Sequence, residues 1–358
     1  MSSFAVRVHK IVIEPHPDAD RLELAKVGKF RSVVAKGQFK TGDLAAYLPE
    51  ASLVPEALLV EMGLVGKLAG SAHNRIKAIR LRGVVSQGIC YPTRAAWQEG
   101  QDVAEELGII KWEPPIPTGM GGEVYLAGHR YLSHYDIENW KAWPDVLQEG
   151  EDVVFTEKIH GTFCMCAVLR DGTRIVASKG LGGKGFAFVD DASNAHNLYL
   201  RAVTQHDVAS RVQKFLLAYL PVAVEAVTVF GEVFGAGVQD LTYGHDVRKN
   251  AIGFRVFDVK VTQTGEDARF LGHFALEAFC AETGLARVPL VYIGPYSTAA
   301  LKTHTSGKTL LGGAHMREGL VVRPVHERQH DELPSRRVQL KSVSDAYLFR
   351  SGEQTEFQ

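Results

Sequence analysis

The sequence lacks any uninterrupted apolar run of about 18 residues, the length a membrane-spanning helix needs. The nearest approach, LLAYLPVAVEAVTVF, is broken by Pro221 and Glu225, and a transmembrane anchor is therefore not expected. The N-terminal stretch MSSFAVRVHKIVIEPHPDAD has no apolar core of the kind a secretory signal carries, so the protein is expected in the cytoplasm. Cysteine is scarce: the four residues, Cys90, Cys164, Cys166 and Cys280, form no C-x-x-C pair, and Cys164 and Cys166 would point to one face of a strand. Free buried thiols are expected, with no zinc site. There is no excess of either charge, with 40 Lys and Arg against 41 Asp and Glu, so any nucleic acid must be met by a local basic patch and not by a global positive field.

What is present is an ordinary globular composition. With 46% hydrophobic and 23% charged residues, disorder, collagen and coiled coil are excluded, and 358 residues suit two domains. The first stretch contains short β-type runs punctuated by Gly and Pro, among them FAVRVHKIVIEP, RSVVAKG, DLAAYLPE and VVSQGICYP, a pattern for a small barrel or sandwich. A Pro- and Gly-rich segment, WEPPIPTGMGGE, follows. The boundaries expected are a module over 1–115, a linker over 116–128 and a second domain over 129–358.

In the second domain two helices stand out. Val208, Val212, Phe215, Leu216 and Tyr219 recur at helical spacing before Pro221, and a second helix is predicted from Glu266 to Thr283 with Leu271, Phe274, Ala275 and Ala278 on one face and Gly284 as its cap. Strands such as EDVVFTEK, FCMCAVLR, VTVFGEVF, AIGFRVFDV, EGLVVRP and RVQLKSV surround them, which gives an α+β fold with largely antiparallel sheets and flanking helices.

Two attractive matches carry little. His326-Glu327-Arg328-Gln329-His330 fits H-E-x-x-H, yet it lies between Pro324 and Pro334 in a polar stretch, where a zinc-binding helix is not expected. Gly180 to Gly185 fits G-x-G-x-x-G, but no amphipathic helix follows and no Ser or Thr follows Lys184, so it reads as a flexible loop beside a ligand.

The informative element is Glu157-Lys158-Ile159-His160-Gly161-Thr162 at the end of a predicted strand. Gly161 lets the chain turn and approach a ligand. Downstream come Phe230-Gly231-Glu232, Phe257-Asp258, Glu318-Gly319-Leu320-Val321-Val322-Arg323 and Leu340-Lys341. In this order the fragments resemble the motifs of the covalent nucleotidyltransferase superfamily, over about Ile137 to Leu348. The K-x-H-G form is similar to that of ATP-dependent RNA ligases that seal 3′-OH and 5′-phosphate ends; DNA ligases and capping enzymes usually have Asp in place of the histidine.

The resemblance implies Lys158 as the nucleophile that takes AMP from ATP, with Lys341 lowering its pKa and neutralising the α-phosphate. It implies nucleotide contacts from Glu157, Gly161 and Lys179, a ribose contact from Glu232, adenine stacking on Phe257, and a catalytic Mg²⁺ or Mn²⁺ ion on Glu318. His160 is expected to help pass AMP to the RNA 5′-phosphate. A core ring is the competing reading of Phe257, a solvated lysine that of Lys179, and a hydrogen-bonded structural side chain that of His160. Two positions depart from the family pattern: Phe163, where many RNA ligases carry Asn, and Gln339, where a first lysine often stands two residues before Lys341.

At the N-terminus, His16-Pro17-Asp18-Ala19-Asp20-Arg21-Leu22 and Arg82-Gly83-Val84-Val85-Ser86-Gln87-Gly88 look like the OB-type barrel of tRNA-binding appendages. Within NRIKAIRLR, Arg75, Lys77, Arg80 and Arg82 form the basic patch a nucleic-acid module needs. The expected protein is thus an ATP-dependent RNA ligase with an N-terminal OB-like module, acting in repair on RNA or on nicked RNA/DNA duplex, with no membrane and no obligate protein partner. A GTP-dependent capping enzyme, a DNA ligase and a noncatalytic RNA-binding protein are the alternatives.

Overall fold

The computed structural model describes residues 4–113, 118–235, 237–244 and 252–350. They fall into two compact units, one of 2–113 with 139–144 and one of 114–138 with 145–358.

The smaller unit is built from short antiparallel strands. One sheet runs in the order Arg7–Lys10, Leu44–Leu48, Ile89–Pro92, and another in the order Val12–Pro15, Leu22–Val27, Phe30–Ala35. Alternation fixes which side is apolar: Ala25 and Val27 on one strand share a buried face with Ser32 and Val34 on the next, while Arg31 and Ala35 face out on the other side. Ile11, Ala25, Val27, Val34, Phe39 and Tyr47 form one cluster, and Val6, Val8, Leu48, Leu58, Ile76 and Trp97 belong to a second. A hairpin joins Ile79–Leu81 to Val84–Ser86 through Arg82 (φ 45°) and Gly83 (φ 82°), the pair of left-handed residues that a two-residue turn between twisted strands demands. The segment 139–144 closes this unit: the Lys141 carbonyl accepts from the Lys29 N–H at 2.9 Å, and its ammonium donates to Gln87 Oε1 at 2.6 Å. Nothing in the sequence signalled that return.

The larger unit has two antiparallel sheets. The first runs in the order Arg174–Ser178, Thr162–Leu169, Val224–Phe234, Gly253–Gln263, Arg269–Phe270. The second contains, in order, Leu340–Val343, Gly319–Pro324, Asp152–Lys158 and Leu290–Pro295. The strand Thr162–Leu169 is buried on both faces, and its period of two sorts it cleanly. Cys164, Cys166 and Val168 join the core under the helices, whereas Phe163, Met165 and Ala167 join an opposite cluster with Leu132, Tyr135 and Phe230. All four cysteines are free and buried.

Helices cover the first sheet. Asn197 caps Leu198–Gln205 by accepting from the Tyr199 and Leu200 N–H groups at 3.0 and 3.1 Å. In Val208–Tyr219 the predicted stripe is buried at Val208, Val212 and Leu216, each such burial being worth about 1.5–3 kcal/mol. The later helix is shorter than the sequence predicts: it spans His273–Thr283, begins after Gly272 and ends on Gly284 at φ 65°. Because Arg269–Phe270 is paired to the sheet edge, the helix starts later and its buried face is Leu276, Phe279 and Cys280, leaving Phe274 58% exposed.

The expected linker begins outside the described residues. Its described part is packed structure: Met120 is buried in the helix-side core, and Val124–Leu126 pairs with Phe186–Phe188. The segment from Gly180 is also more ordered than a flexible loop. Lys179–Gly182 forms one helical turn, and a Cβ on Gly182 would lie 2.0 Å from Met165 Cε, so glycine here serves close packing. His326 to His330 is non-helical, as expected. No helix among the described residues is long and apolar enough to cross a membrane.

Candidate active site

A cavity in the larger unit is lined from both sheets. Phe163, Glu232 and Phe257 come from the first; Thr156, Lys158, Val321, Arg323 and Lys341 come from the second, with Glu318 just before its strand. Of the residues singled out in the sequence, Glu157, Lys158, His160, Gly161, Lys179, Glu232, Phe257, Glu318 and Lys341 all line this cavity.

The strand Asp152–Lys158 delivers the lysine at its last position, opposite Gly319. The chain then turns tightly. A Cβ on Gly161 would lie 2.3 Å from the Val233 carbonyl oxygen and 2.9 Å from Glu232 Cγ, so only glycine brings the turn against the Glu232 strand. Lys158 Nζ donates to Glu318 Oε1, and Glu318 is almost fully buried. Lys341 stands one strand further on, paired with Val321.

Glu232 is partly covered by the cavity walls. Burial pushes its carboxyl up to about 8; the nearby charge of Lys158 opposes the rise, that of Glu318 adds to it, and Lys179 opposes it again. Lys179 Nζ sits 3.1 Å from Asp136 Oδ1. Among the described residues no group of three or more His, Cys, Asp or Glu side chains is placed to hold a metal ion alone. Glu318 does supply a buried carboxylate, a hard oxygen donor on the cavity wall. That suits a Mg²⁺ or Mn²⁺ ion that takes its other ligands from phosphate oxygens and water.

Phe257 owes its direction to a local irregularity. Phe230 pairs with Asp258 and Gly231 with Val256, so Phe257 is the extra residue of a β-bulge, a device that re-aims a side chain. Its ring lies 5.5 Å from Phe163 and 5.6 Å from Tyr135, while Phe254 is buried in the opposite core. The two departures from the family pattern are accounted for here. Phe163 adds an aromatic wall where a polar residue is usual, and the Gln339 amide donates to the Tyr135 hydroxyl at 2.8 Å. That hydroxyl in turn donates to Asp258 Oδ2 at 2.6 Å.

Other expected residues take different positions. The Glu157 carboxylate accepts from Thr309 Oγ1 at 2.6 Å and the Leu310 N–H at 2.7 Å, so it pins a loop. The His160 ring is buried, with Nε2 2.5 Å from Asp240 Oδ1 and Nδ1 2.9 Å from the Tyr347 hydroxyl. Burial lowers its pKa to about 4, although Asp240 pulls the other way. Arg75, Lys77, Arg80 and Arg82 belong to the smaller unit and do not form one strand face. Arg75 stacks 4.0 Å over Trp112, Arg80 donates to the Gly83 carbonyl at 3.1 Å, and Arg82 occupies the hairpin turn.

Sequence reasoning missed Tyr135, Gln239, Asp240, Tyr243, Tyr347 and Arg350, none of which sits in a recognisable pattern. Arg323 was legible as the last residue of the EGLVVR fragment; it lines the cavity 3.6 Å from Asp258.

The RNA ligase family model matches residues 151–343, and an OB-fold domain model matches residues 5–93. Among solved structures the chain is similar to Naegleria gruberi RNA ligase with pyrophosphate (TM-score 0.78), to a mutant of that enzyme with ATP and manganese (0.79) and to another with AMP and manganese (0.78). Identity is 22% in each, over 96% of this chain and 97% of the other, which establishes a shared fold. No curated protein matches in sequence. The family match spans more than half of the chain and takes in Lys158, Glu232, Phe257, Glu318 and Lys341 together, and on that ground the chain belongs to the RNA ligase family.

Proposed function

We propose that the protein is an ATP-dependent RNA ligase that joins 3′-OH and 5′-phosphate ends, acting in RNA repair in the cytoplasm and on nicks with RNA on the 3′-OH side. The observation that carries the reading is the meeting of Lys158, Glu318, Glu232 and Lys341 around one cavity with an aromatic wall.

The 5′-phosphate has no good leaving group, so AMP must first be attached to it. Lys158 Nζ attacks the α-phosphorus of ATP; a P–N bond forms and the bond to pyrophosphate breaks. The nearest acceptor for the amine proton is the Glu318 carboxylate. In this reading Lys341, on the cavity wall, balances charge on the α-phosphate, and the Phe257 face stacks on adenine. A 5′-phosphate oxygen of RNA then attacks the lysyl-AMP phosphorus, forming a P–O–P link and releasing the lysine. Finally the 3′-OH attacks the 5′-phosphorus, forming the phosphodiester and expelling AMP. A divalent ion on Glu318 would stabilise the negative charge of these transfers, while Glu232 contacts the ribose.

Incubation with α-labelled ATP and Mg²⁺ or Mn²⁺ should label the chain covalently, and Lys158→Ala should abolish that label. Equal labelling of the variant would refute the assignment. Labelling by GTP would instead indicate capping chemistry, sealing only of nicks with DNA on the 3′ side a DNA ligase, and RNA binding without any covalent label a noncatalytic protein.

A further inference from the structure

Four hydrogen bonds converge on the turn that follows the nucleophile. The His160 N–H donates to the Tyr243 hydroxyl at 2.6 Å, and the Gln239 amide donates to the Gly161 carbonyl at 2.5 Å. The His160 ring makes the other two, to Asp240 and Tyr347. An ionised carboxylate only accepts, so Nε2 carries the ring proton and Nδ1 is left to accept from the Tyr347 hydroxyl.

Asp240 and Tyr347 are themselves tied together. Arg350 Nε donates to Asp240 Oδ2 at 2.9 Å and Nη2 to Oδ1 at 3.2 Å. The same guanidinium lies 3.7 Å over the Tyr347 ring, and its Nη1 donates to the Tyr347 carbonyl at 3.0 Å. The result is a closed circuit from the nucleophile turn, through the His160 ring, to the helix Asp345–Leu348 and back through Arg350 and Asp240. With both ring nitrogens engaged and the ring 2% exposed, His160 is not disposed to touch substrate. It reaches Lys158 through the backbone two residues away and lies beside the lysine's partner, its Nδ1 3.9 Å from Glu318 Oε2.

We infer that Asp240 and Tyr347 are positioning residues: they fix the His160 ring, and through it the Lys158–Gly161 turn, in the attitude from which the lysine attacks ATP. The inference rests on Lys158 being the residue that takes AMP. A displacement of about 1 Å at a reacting group costs up to about a hundredfold in rate, which is the scale on which such a circuit matters.

The test separates two steps under single-turnover conditions: formation of lysyl-AMP at saturating ATP, and sealing of a nick whose 5′-phosphate already carries AMP, which needs no attack by Lys158. Asp240→Ala and Tyr347→Phe should each slow the first step about tenfold or more, the equivalent of one charge-assisted hydrogen bond. Both variants should seal the pre-adenylylated nick at a near wild-type rate, which also shows that they are folded. Asp240→Asn keeps an oxygen that accepts from Nε2–H and should restore most of the first step. Unchanged lysyl-AMP formation in both variants overturns the inference. So does an equal loss in both steps, which would mark a structural role, and so does a loss confined to AMP transfer from the enzyme to RNA. If wild-type protein forms no lysyl-AMP, the proposed function fails first and on its own evidence.

Discussion

Lys158 Nζ donates to the carboxylate of Glu318, joining the end of the strand Asp152–Lys158 to the residue that precedes Gly319–Pro324. The two ends differ in cover: the lysine side chain is 22% exposed and the glutamate 1%. Removing the lysine therefore takes a donor from a buried carboxylate, whereas removing the carboxylate leaves an ammonium that still reaches water. Loss of a partner from a buried polar group costs about 1–3 kcal/mol. Lys158→Ala is accordingly expected to destabilise the nucleotide-free protein by about that much, and Glu318→Gln added to it should recover most of the loss. A double-mutant cycle by denaturant unfolding checks this, and strictly additive effects would contradict it.

Glu232 gives a pH dependence with a definite sign. Its carboxyl, ordinarily near 4.5, is raised to about 8, chiefly by burial. An acid shifted this way holds its proton more tightly in the folded chain than in the unfolded one. Its contribution to stability is thus fully present below 4.5 and is lost as pH rises toward about 8. Glu232→Gln, which cannot ionise, should escape that loss. Measured with a chelator and without nucleotide, the wild-type melting temperature should fall relative to the variant's between pH 5 and pH 8, by about 2–4 °C for each kcal/mol that ionising the buried carboxyl costs. Parallel profiles would show that the carboxyl titrates normally.

The strands were legible from their short β-type apolar runs, and Lys158, Glu232, Glu318 and Lys341 could be named before their convergence was visible because the fragments that hold them, taken in order, resemble the motifs of the nucleotidyltransferase superfamily. The nucleophile turn was legible for a related reason, since Gly161 occupies a place that no Cβ can enter. What stayed hidden depends on contacts distant in sequence. Asp240 and Tyr347 lie 80 and 187 residues from His160 along the chain, and nothing local marks either. The later helix was misphased because the pairing of Arg269–Phe270 with the sheet edge overrides the local apolar spacing. The basic run from Arg75 to Arg82 looked continuous as text. In the folded unit Arg75 is stacked on Trp112, and Arg82 is used by the hairpin turn.

Phe257 is where the two readings of one residue can be separated. Its bulge turns the ring toward the cavity, yet the same ring packs on Phe163 and Tyr135. A core ring and a base-stacking ring predict different losses. Stacking of a base on an aromatic side chain is worth about 1–3 kcal/mol, so Phe257→Ala should raise the ATP concentration for half-maximal lysine labelling by about tenfold to a hundredfold. The maximal labelling rate should fall much less, because Phe257 touches the base and not the phosphorus under attack. Phe257→Tyr, which keeps the π-face, should stay close to wild type in ATP dependence. If Phe257→Ala lowers the melting temperature while its ATP dependence is unchanged, the ring belongs to the core alone and adenine is held by another surface of the cavity.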